Sequence, residues 1–345
     1  MNLFRMFSRP ATLVAAAMLL LSGHVSAQHS GYRTLTIPGE PPTTVALFYP
    51  TAVPARTLSM GPWQPVVSPG APASEAPLKG LILLSHGTGG TELNHHNLAT
   101  RLARDGYLVA AVRHNGDNWQ DRSMITSGRY FSERPRQLSR VLDALLASPE
   151  WGARIPAGRI GAVGHSAGGY SVLALAGAQA DPRRAAQHCR TVQDDPGFCH
   201  LAKGPDGSQV SDMRATPSDA TTAPRADRVS ASDPRIRAVV AMAPMAVVLT
   251  PESLAAITVP VRIFVAERDA VLNRKYHADH VAASLPGVQI NTVPGAGHFA
   301  FMSQSTIPLP SAAGDAAANP PGFDRVAYLS EMEEQVARFF SDQWR

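Results

Sequence analysis

Residues 159–170 read Arg159-Ile160-Gly161-Ala162-Val163-Gly164-His165-Ser166-Ala167-Gly168-Gly169-Tyr170. The apolar start of this stretch is a buried strand, and the run from Ala167 onward to residue 178 is a helix. Between them lies a G-x-S-x-G pattern, which acquires meaning from standing directly after a strand and directly before a helix. A Gly-rich turn with an incidental serine is the alternative reading of that pattern alone. In strand–turn–helix context Ser166 sits at the tip of a tight turn. Gly164 and Gly168 are required because strand and helix approach too closely for a Cβ. The helix N-terminus beneath the serine favours negative charge developing there.

Outward from this turn, strands and helices alternate. Residues 32–37 and 44–49 read as strands around a Pro-Gly turn, and 50–79 as an irregular, proline-rich surface excursion. Strands are expected at 81–84, 107–112, 159–163, 238–242 and 261–266, and helices at 94–104, 132–147, 167–178 and 324–340. Each later strand is a continuous apolar run, the signature of a mostly parallel sheet covered by helices on both faces. Residues 179–235 interrupt the pattern with a polar, Asp- and Arg-containing stretch that cannot fold alone. It is expected to be an insertion in a single domain spanning 28–345, serving either as a lid or as a flexible decoration.

A serine nucleophile needs a base, and the base needs an orienting acid, which on this architecture follow in the order acid, then histidine. Glu267-Arg268-Asp269 stands at the C-terminal end of a strand, where sites form in open α/β sheets; Asp269 is the expected acid and Glu267 its competitor. Gly295-Ala296-Gly297-His298 is a Gly-rich loop that presents His298 as base. The oxyanion of the tetrahedral intermediate calls for main-chain donors. Ala167 N–H follows the nucleophile, and His86-Gly87-Thr88-Gly89-Gly90 offers Thr88 N–H. His86 is expected to hold that loop together. Trp119 and Tyr130 are candidates for a pocket lining or the core, and the pairing of Arg113, Arg134 and Arg136 stays open. His95, His96, His114 and Asp117 make a poor metal set, so no metal or other cofactor is expected.

The chain has 345 residues, 31 basic and 27 acidic side chains, and two cysteines. This composition excludes disordered, collagen-like and disulfide-scaffold classes. Residues 1–27 combine Arg5 and Arg9, an apolar run of about 11 residues and Val25-Ser26-Ala27, the pattern of a signal peptide cleaved after Ala27. The run is too short to cross a bilayer, which takes roughly 20 residues, and no later segment suits stable membrane insertion. The remainder keeps 29 basic and 27 acidic groups, a balance that argues against nucleic-acid binding. Export to a periplasm or the exterior makes Cys189 and Cys199 a disulfide pair, with free thiols or a metal pair as alternatives.

With these residues in place, the chain resembles the α/β-hydrolase superfamily over most of residues 30–345. Leu84-Ser85-His86-Gly87-Thr88-Gly89-Gly90, continued by the stretch from Leu98 to His114 and by Arg134-Pro135-Arg136, resembles the dienelactone-hydrolase-like branch that includes platelet-activating-factor acetylhydrolases. The resemblance implies Ser166 as nucleophile, Asp269 as acid, His298 as base, oxyanion donors at Thr88 and Ala167, and no cofactor. It implies an esterase acting on a small-molecule ester. Ser166 stands where dienelactone hydrolases proper carry cysteine. Small or short-chain acyl esters are preferred, because no long apolar lid helix is visible; an amidase or peptidase, a lipid-type acetylhydrolase and a non-catalytic binding protein are the alternatives.

Overall fold

The computed structural model describes residues 29–125, 127–200, 228–311 and 313–345. The expected leader therefore lies outside the described residues, as does the middle of the insertion. Ten strands form one sheet: β1 (His29–Ile37), β2 (Thr43–Thr51), β3 (Arg56–Thr57), β4 (Val66–Pro69), β5 (Leu81–Ser85), β6 (Leu108–Val112), β7 (Ile160–His165), β8 (Ala238–Met242), β9 (Val261–Ala266) and β10 (Gln289–Val293). Their spatial order is β10-β9-β8-β7-β5-β6-β2-β1-β4-β3. Neighbours from β10 through to β6 are parallel, while β2 runs antiparallel to both β6 and β1. Residues 50–79 differ from the irregular excursion expected of them. They supply β4, which pairs parallel with β1 and buries Val67, and β3, which pairs with β4. Most of their prolines lie in the connections outside these short strands.

Helices cover both faces. On one side α1 (His96–Arg104) and α8 (Arg325–Gln343) bury Leu98, Leu102, Met332 and Phe340 against Ile82, Leu84 and Val109. On the other, α2 (Tyr130–Leu146) and α3 (Ala167–Leu175) bury Leu138, Val141, Tyr170 and Leu173 against Leu81, Leu83 and Ala162. Each of these fully buried large side chains contributes about 1.5–3 kcal/mol relative to exposure. Helix α8 begins where Asp324 accepts the Ala327 N–H at 3.1 Å, a side-chain cap. Pro135 lies inside α2 and has no N–H to offer the carbonyl one turn back. That carbonyl, Phe131 O, instead accepts the Tyr170 hydroxyl at 2.6 Å, so the helical defect becomes a tie between α2 and α3.

The described part of the insertion is packed and helical. Helix α4 (Pro182–Thr191) is capped by Asp181, and a single turn, α5 (Pro196–Cys199), follows. Cys189 and Cys199 form a disulfide, with Cα atoms 5.6 Å apart, and both are buried with Phe198. Two further helices complete the chain's later half, α6 (Pro251–Ala255) and α7 (Ala278–Ser284).

Candidate active site

Ser166 occupies the junction of β7 and α3 with φ 57° and ψ −118°, backbone angles that an L-residue holds only when its surroundings force them. The forcing is visible in the hydrogen bonds and contacts. Ser166 N–H donates to Met242 O at 2.9 Å, and Ser166 O accepts from Met245 N–H at 3.0 Å and Tyr170 N–H at 3.1 Å. A Cβ on Gly164 would stand 2.1 Å from Gly168 O, and one on Gly168 would stand 2.1 Å from Ser85 O. Side chains at either position are sterically impossible without moving backbone, the reason read from the sequence.

The loop after β5 lies directly against the serine: a Cβ on Gly87 would be 3.2 Å from Ser166 Cβ. Among the described residues, neither the Thr88 nor the Ala167 main-chain N–H is bonded to a protein acceptor. The loop is fastened from behind by groups the sequence did not assign. Asp117 Oδ1 accepts the Gly89 N–H at 2.8 Å, and its Oδ2 accepts the Tyr130 hydroxyl at 2.9 Å and pairs with Arg134 Nη1. Arg134 and Asp117 are fully buried, and Arg134 also donates to His86 O, Ser85 Oγ and Ser171 Oγ. Thr88 Oγ1 lies 2.9 Å from Tyr130 OH. Tyr130 is thus buried in this network, whereas Trp119 is exposed beside Gly90, whose carbonyl accepts its N–H at 3.1 Å.

Two neutral imidazoles complete the fastening. His86 Nε2 accepts the His114 N–H at 3.1 Å, which leaves the proton on Nδ1 to be donated to Gly87 O at 2.7 Å. His114 Nδ1 donates to Gln137 Oε1 at 2.8 Å, and its Nε2 accepts from Ser85 Oγ at 2.8 Å. Burial, followed by the nearby Arg134 charge, pushes the pKa of both well below the ordinary histidine value. His86 accordingly holds the loop, as expected from sequence.

Asp269 follows β9 and His298 opens a 3-10 turn, His298–Phe301, after β10. His298 Nδ1 donates to Asp269 Oδ2 at 2.8 Å. The other carboxylate oxygen accepts the N–H groups of Val271 (2.9 Å) and Leu272 (2.8 Å), so the carboxylate is anchored from both ends. Glu267, the competing acid, is exposed and accepts the Gly295 N–H at 2.8 Å, supporting the turn that leads to His298. Two buried histidines hold the His298 turn: His165 Nε2 donates to His298 O and His95 Nδ1 to Phe301 O, each at 2.9 Å. The His165 and His298 rings lie 4.9 Å apart, bringing the residue beside Ser166 onto His298. No hydrogen bond joins Ser166 to His298 among the described residues; such contacts often tighten only with substrate bound.

A cavity of about 300 Å³ opens beside His298, lined by Arg268, Val271, Phe299, Asn319 and Arg325 among others. Burial lowers the Arg325 pKa to about 10, and its guanidinium is held by Asn319 Oδ1, Ala316 O and Ala318 O. Of the residues weighed as a metal set, His114 is bonded at both ring nitrogens and Asp117 is committed to Arg134, while His95 and His96 each keep an unbonded Nε2. Among the described residues no group of three or more His, Cys, Asp or Glu side chains could hold a metal ion.

The model of the alpha/beta hydrolase family matches residues 81–306, from β5 to just beyond the His298 turn. The chain belongs to the alpha/beta hydrolase family. Among solved structures, a ferulic acid esterase from Streptomyces cinnamoneus is similar, with a TM-score of 0.55 and 20% identity over 91% of this chain and 88% of that one. Likeness at that identity concerns the fold. No curated protein matches the chain. This alpha/beta hydrolase has, among its described residues, no helix long and apolar enough to cross a membrane.

Proposed function

We propose that this alpha/beta hydrolase is an exported serine esterase that cleaves carboxylic esters through an acyl-enzyme. Ser166 Oγ attacks the ester carbonyl while His298 Nε2 takes its proton. His298 then returns that proton to the leaving alcohol, and a water activated by the same imidazole cleaves the acyl-enzyme. Asp269 fixes the imidazole tautomer and stabilises the imidazolium as it forms. The N–H groups of Thr88 and Ala167 receive the oxyanion.

The observation that carries this reading is the Asp269–His298 hydrogen bond of 2.8 Å, with the second carboxylate oxygen already saturated by two main-chain donors. That arrangement orients one imidazole nitrogen and leaves the other for chemistry. The unbonded Thr88 and Ala167 N–H groups around a serine held at φ 57° support it. Small or short-chain acyl groups are the proposed substrates, and membership of the dienelactone-hydrolase-like branch is part of the proposal, on the resemblance of residues 84–90, 98–114 and 134–136. Export is supported by the leader-like residues 1–27 and by the Cys189–Cys199 disulfide.

Release of p-nitrophenol from a chain-length series of esters tests the reading, using protein beginning at Gln28 and Ser166→Ala as control. Turnover confined to the wild type, with an optimum at short acyl chains, is expected. Equal turnover by the variant, or none by folded wild type, would overturn the esterase assignment.

A further inference from the structure

Three successive main-chain N–H groups follow Asp269 and divide between two carboxylates. Val271 and Leu272 donate to Asp269 Oδ1, and Asn273 donates to Asp195 Oδ1 at 2.9 Å. Asp195 is the residue immediately before α5, inside the segment closed by Cys189 and Cys199. Its Oδ2 lies 2.7 Å from His188 Nε2 and 3.0 Å from His277 Nε2. His277 Nδ1 accepts the Ala246 N–H at 3.0 Å, so its Nε2 carries a proton for Asp195. All three side chains are buried.

The contact extends beyond one carboxylate. Asn273 Nδ2 donates to Asp194 O at 2.8 Å, and Tyr276 OH donates to Asp194 Oδ1 at 2.7 Å. A Cβ on Gly197 would lie 2.2 Å from Val271 O, so α5 rests on the main chain of the acid loop with no room for a side chain. The disulfide joins the end of α4 to α5, on either side of Asp195, and thereby fixes the position from which Asp195 reaches Asn273.

We propose that Asp195 is a positioning residue for Asp269, and that the disulfide-closed segment of the insertion braces the acid loop. The proposal rests on the Ser166–His298–Asp269 assignment above. Asp195 touches no reacting atom; it holds the Asn273 N–H, which keeps Val271 and Leu272 aimed at Asp269 and the carboxylate aimed at His298 Nδ1. Displacing the acid by a fraction of an ångström weakens orientation of the base more than binding of the ester, so the effect falls on kcat.

The test compares Asp195→Ala, Asp195→Asn and the double variant Cys189→Ser/Cys199→Ser in the full exported chain. Steady-state kinetics on an ester turned over by the wild type, the ¹H NMR resonance of His298 Nδ1–H and thermal midpoints are the readouts. Asp195→Ala is expected to lower kcat by about tenfold or more, within the ~100-fold that misplacement can cost, with KM unchanged and the His298 Nδ1–H resonance shifted or broadened. Asp195→Asn keeps an oxygen for the Asn273 N–H but turns its NH2 toward the proton on His277 Nε2, so it should recover only part of the loss. In an Asp269→Asn background, Asp195→Ala should add nothing further, as groups acting as a unit are not additive. A lowered midpoint with kcat and the Nδ1–H resonance unchanged, or full additivity with Asp269→Asn, would overturn the proposal. Should Asp195→Ala fail to fold, the double-serine variant, expected to lower kcat with KM unchanged and to shift the same resonance, decides by the same criteria. Should no ester be turned over, the esterase reading fails, and the Nδ1–H resonance still reports whether Asp195 positions Asp269 against His298.

Discussion

The loop at 85–90 is fastened by a buried ion pair, Arg134 with Asp117, together with two neutral histidines. The loop at 269–273 is fastened by its own N–H groups and by a carboxylate from a crosslinked insertion. The first device draws on residues within about 50 positions of the loop, inside the segment β5–α2. The second reaches back across β8 and β9 to residues 194–197. Both solve the same problem: a loop that must present main-chain or side-chain groups at fixed positions needs outside partners, because a short irregular segment has too much conformational freedom. They differ in what breaks them. A desolvated ion pair fails when one partner is removed, whereas a crosslinked brace loses a constraint and leaves its hydrogen bonds available.

The largest expected effect is therefore on the first loop. Arg134→Met leaves the Asp117 carboxylate buried without its cation, and removing one member of such a pair costs about 3–5 kcal/mol. Chemical denaturation of wild type and variant measures it; a change well under 1 kcal/mol would show that Arg134 does not carry the loop. A drop in pH separates the two devices next. Burial lowers the pKa of His95 to about 4 and holds those of His86 and His114 well below the usual value. The unfolded chain takes up these protons as pH falls through about 6.5 while the folded protein does not, so stability drops between about 6.5 and 4. His95 alone accounts for roughly 3 kcal/mol over that window. Burial would raise the Asp195 pKa, but hydrogen bonds led by that from His277 hold it below the ordinary carboxylate value. Its contribution is present above the unfolded pKa near 3.8 and is lost only as pH falls through the lower folded value. Unfolding midpoints from pH 7 to 3 should accordingly show a first decline traceable to the histidines.

Replacing both cysteines by serine should cost about 2–3 kcal/mol, the chain-entropy value for a loop of this length. Thermal unfolding under non-reducing conditions gives the number, and an unchanged midpoint would mean that packing of Phe198 and Asp195 already holds the segment. The smallest effect is expected at Thr88→Val. This removes the hydroxyl contact to Tyr130 at 2.9 Å but keeps the N–H assigned to the oxyanion. Stability should fall by about 1 kcal/mol, with ester turnover close to wild type; a large loss of kcat would show that the hydroxyl itself acts on the substrate.

Much of the framework was legible because it depends on local pattern. The apolar runs that became β8 and β9 were bounded correctly at 238–242 and 261–266. The G-x-S-x-G turn could be read because Gly164 answers a steric demand four residues away, at Gly168 O. The pairing of Cys189 with Cys199 could be read from count, spacing and expected compartment. What was not legible was the partner of each polar group. The sequence leaves open whether Arg134 is solvated or paired, and it offers Asp117 only beside histidines as a conceivable metal ligand. Only the packing of α2 against the sheet makes them a buried pair. In residues 50–79 the proline-rich sequence gives no sign of the two short strands β3 and β4; the sheet sets the pairing of β4 with β1 and of β3 with β4. The insertion looked undecided between lid and decoration, since its composition says nothing of what Asp195 faces.

The amino-acid sequence by itself determined the strand–helix alternation, the tight turn at Ser166 and the order in which acid and histidine follow, since each depends on neighbours along the chain. The sequence favoured Asp269 over Glu267, and tertiary structure brings His298 onto Asp269 while Glu267 bonds the Gly295 N–H. Tertiary structure alone set Asp117 behind the Thr88 loop and Asp195 behind the Asp269 loop. The physical reason is common to both. A buried carboxylate takes whatever donors the fold brings within about 3 Å, and residues tens of positions apart in the chain have no local signature of that meeting.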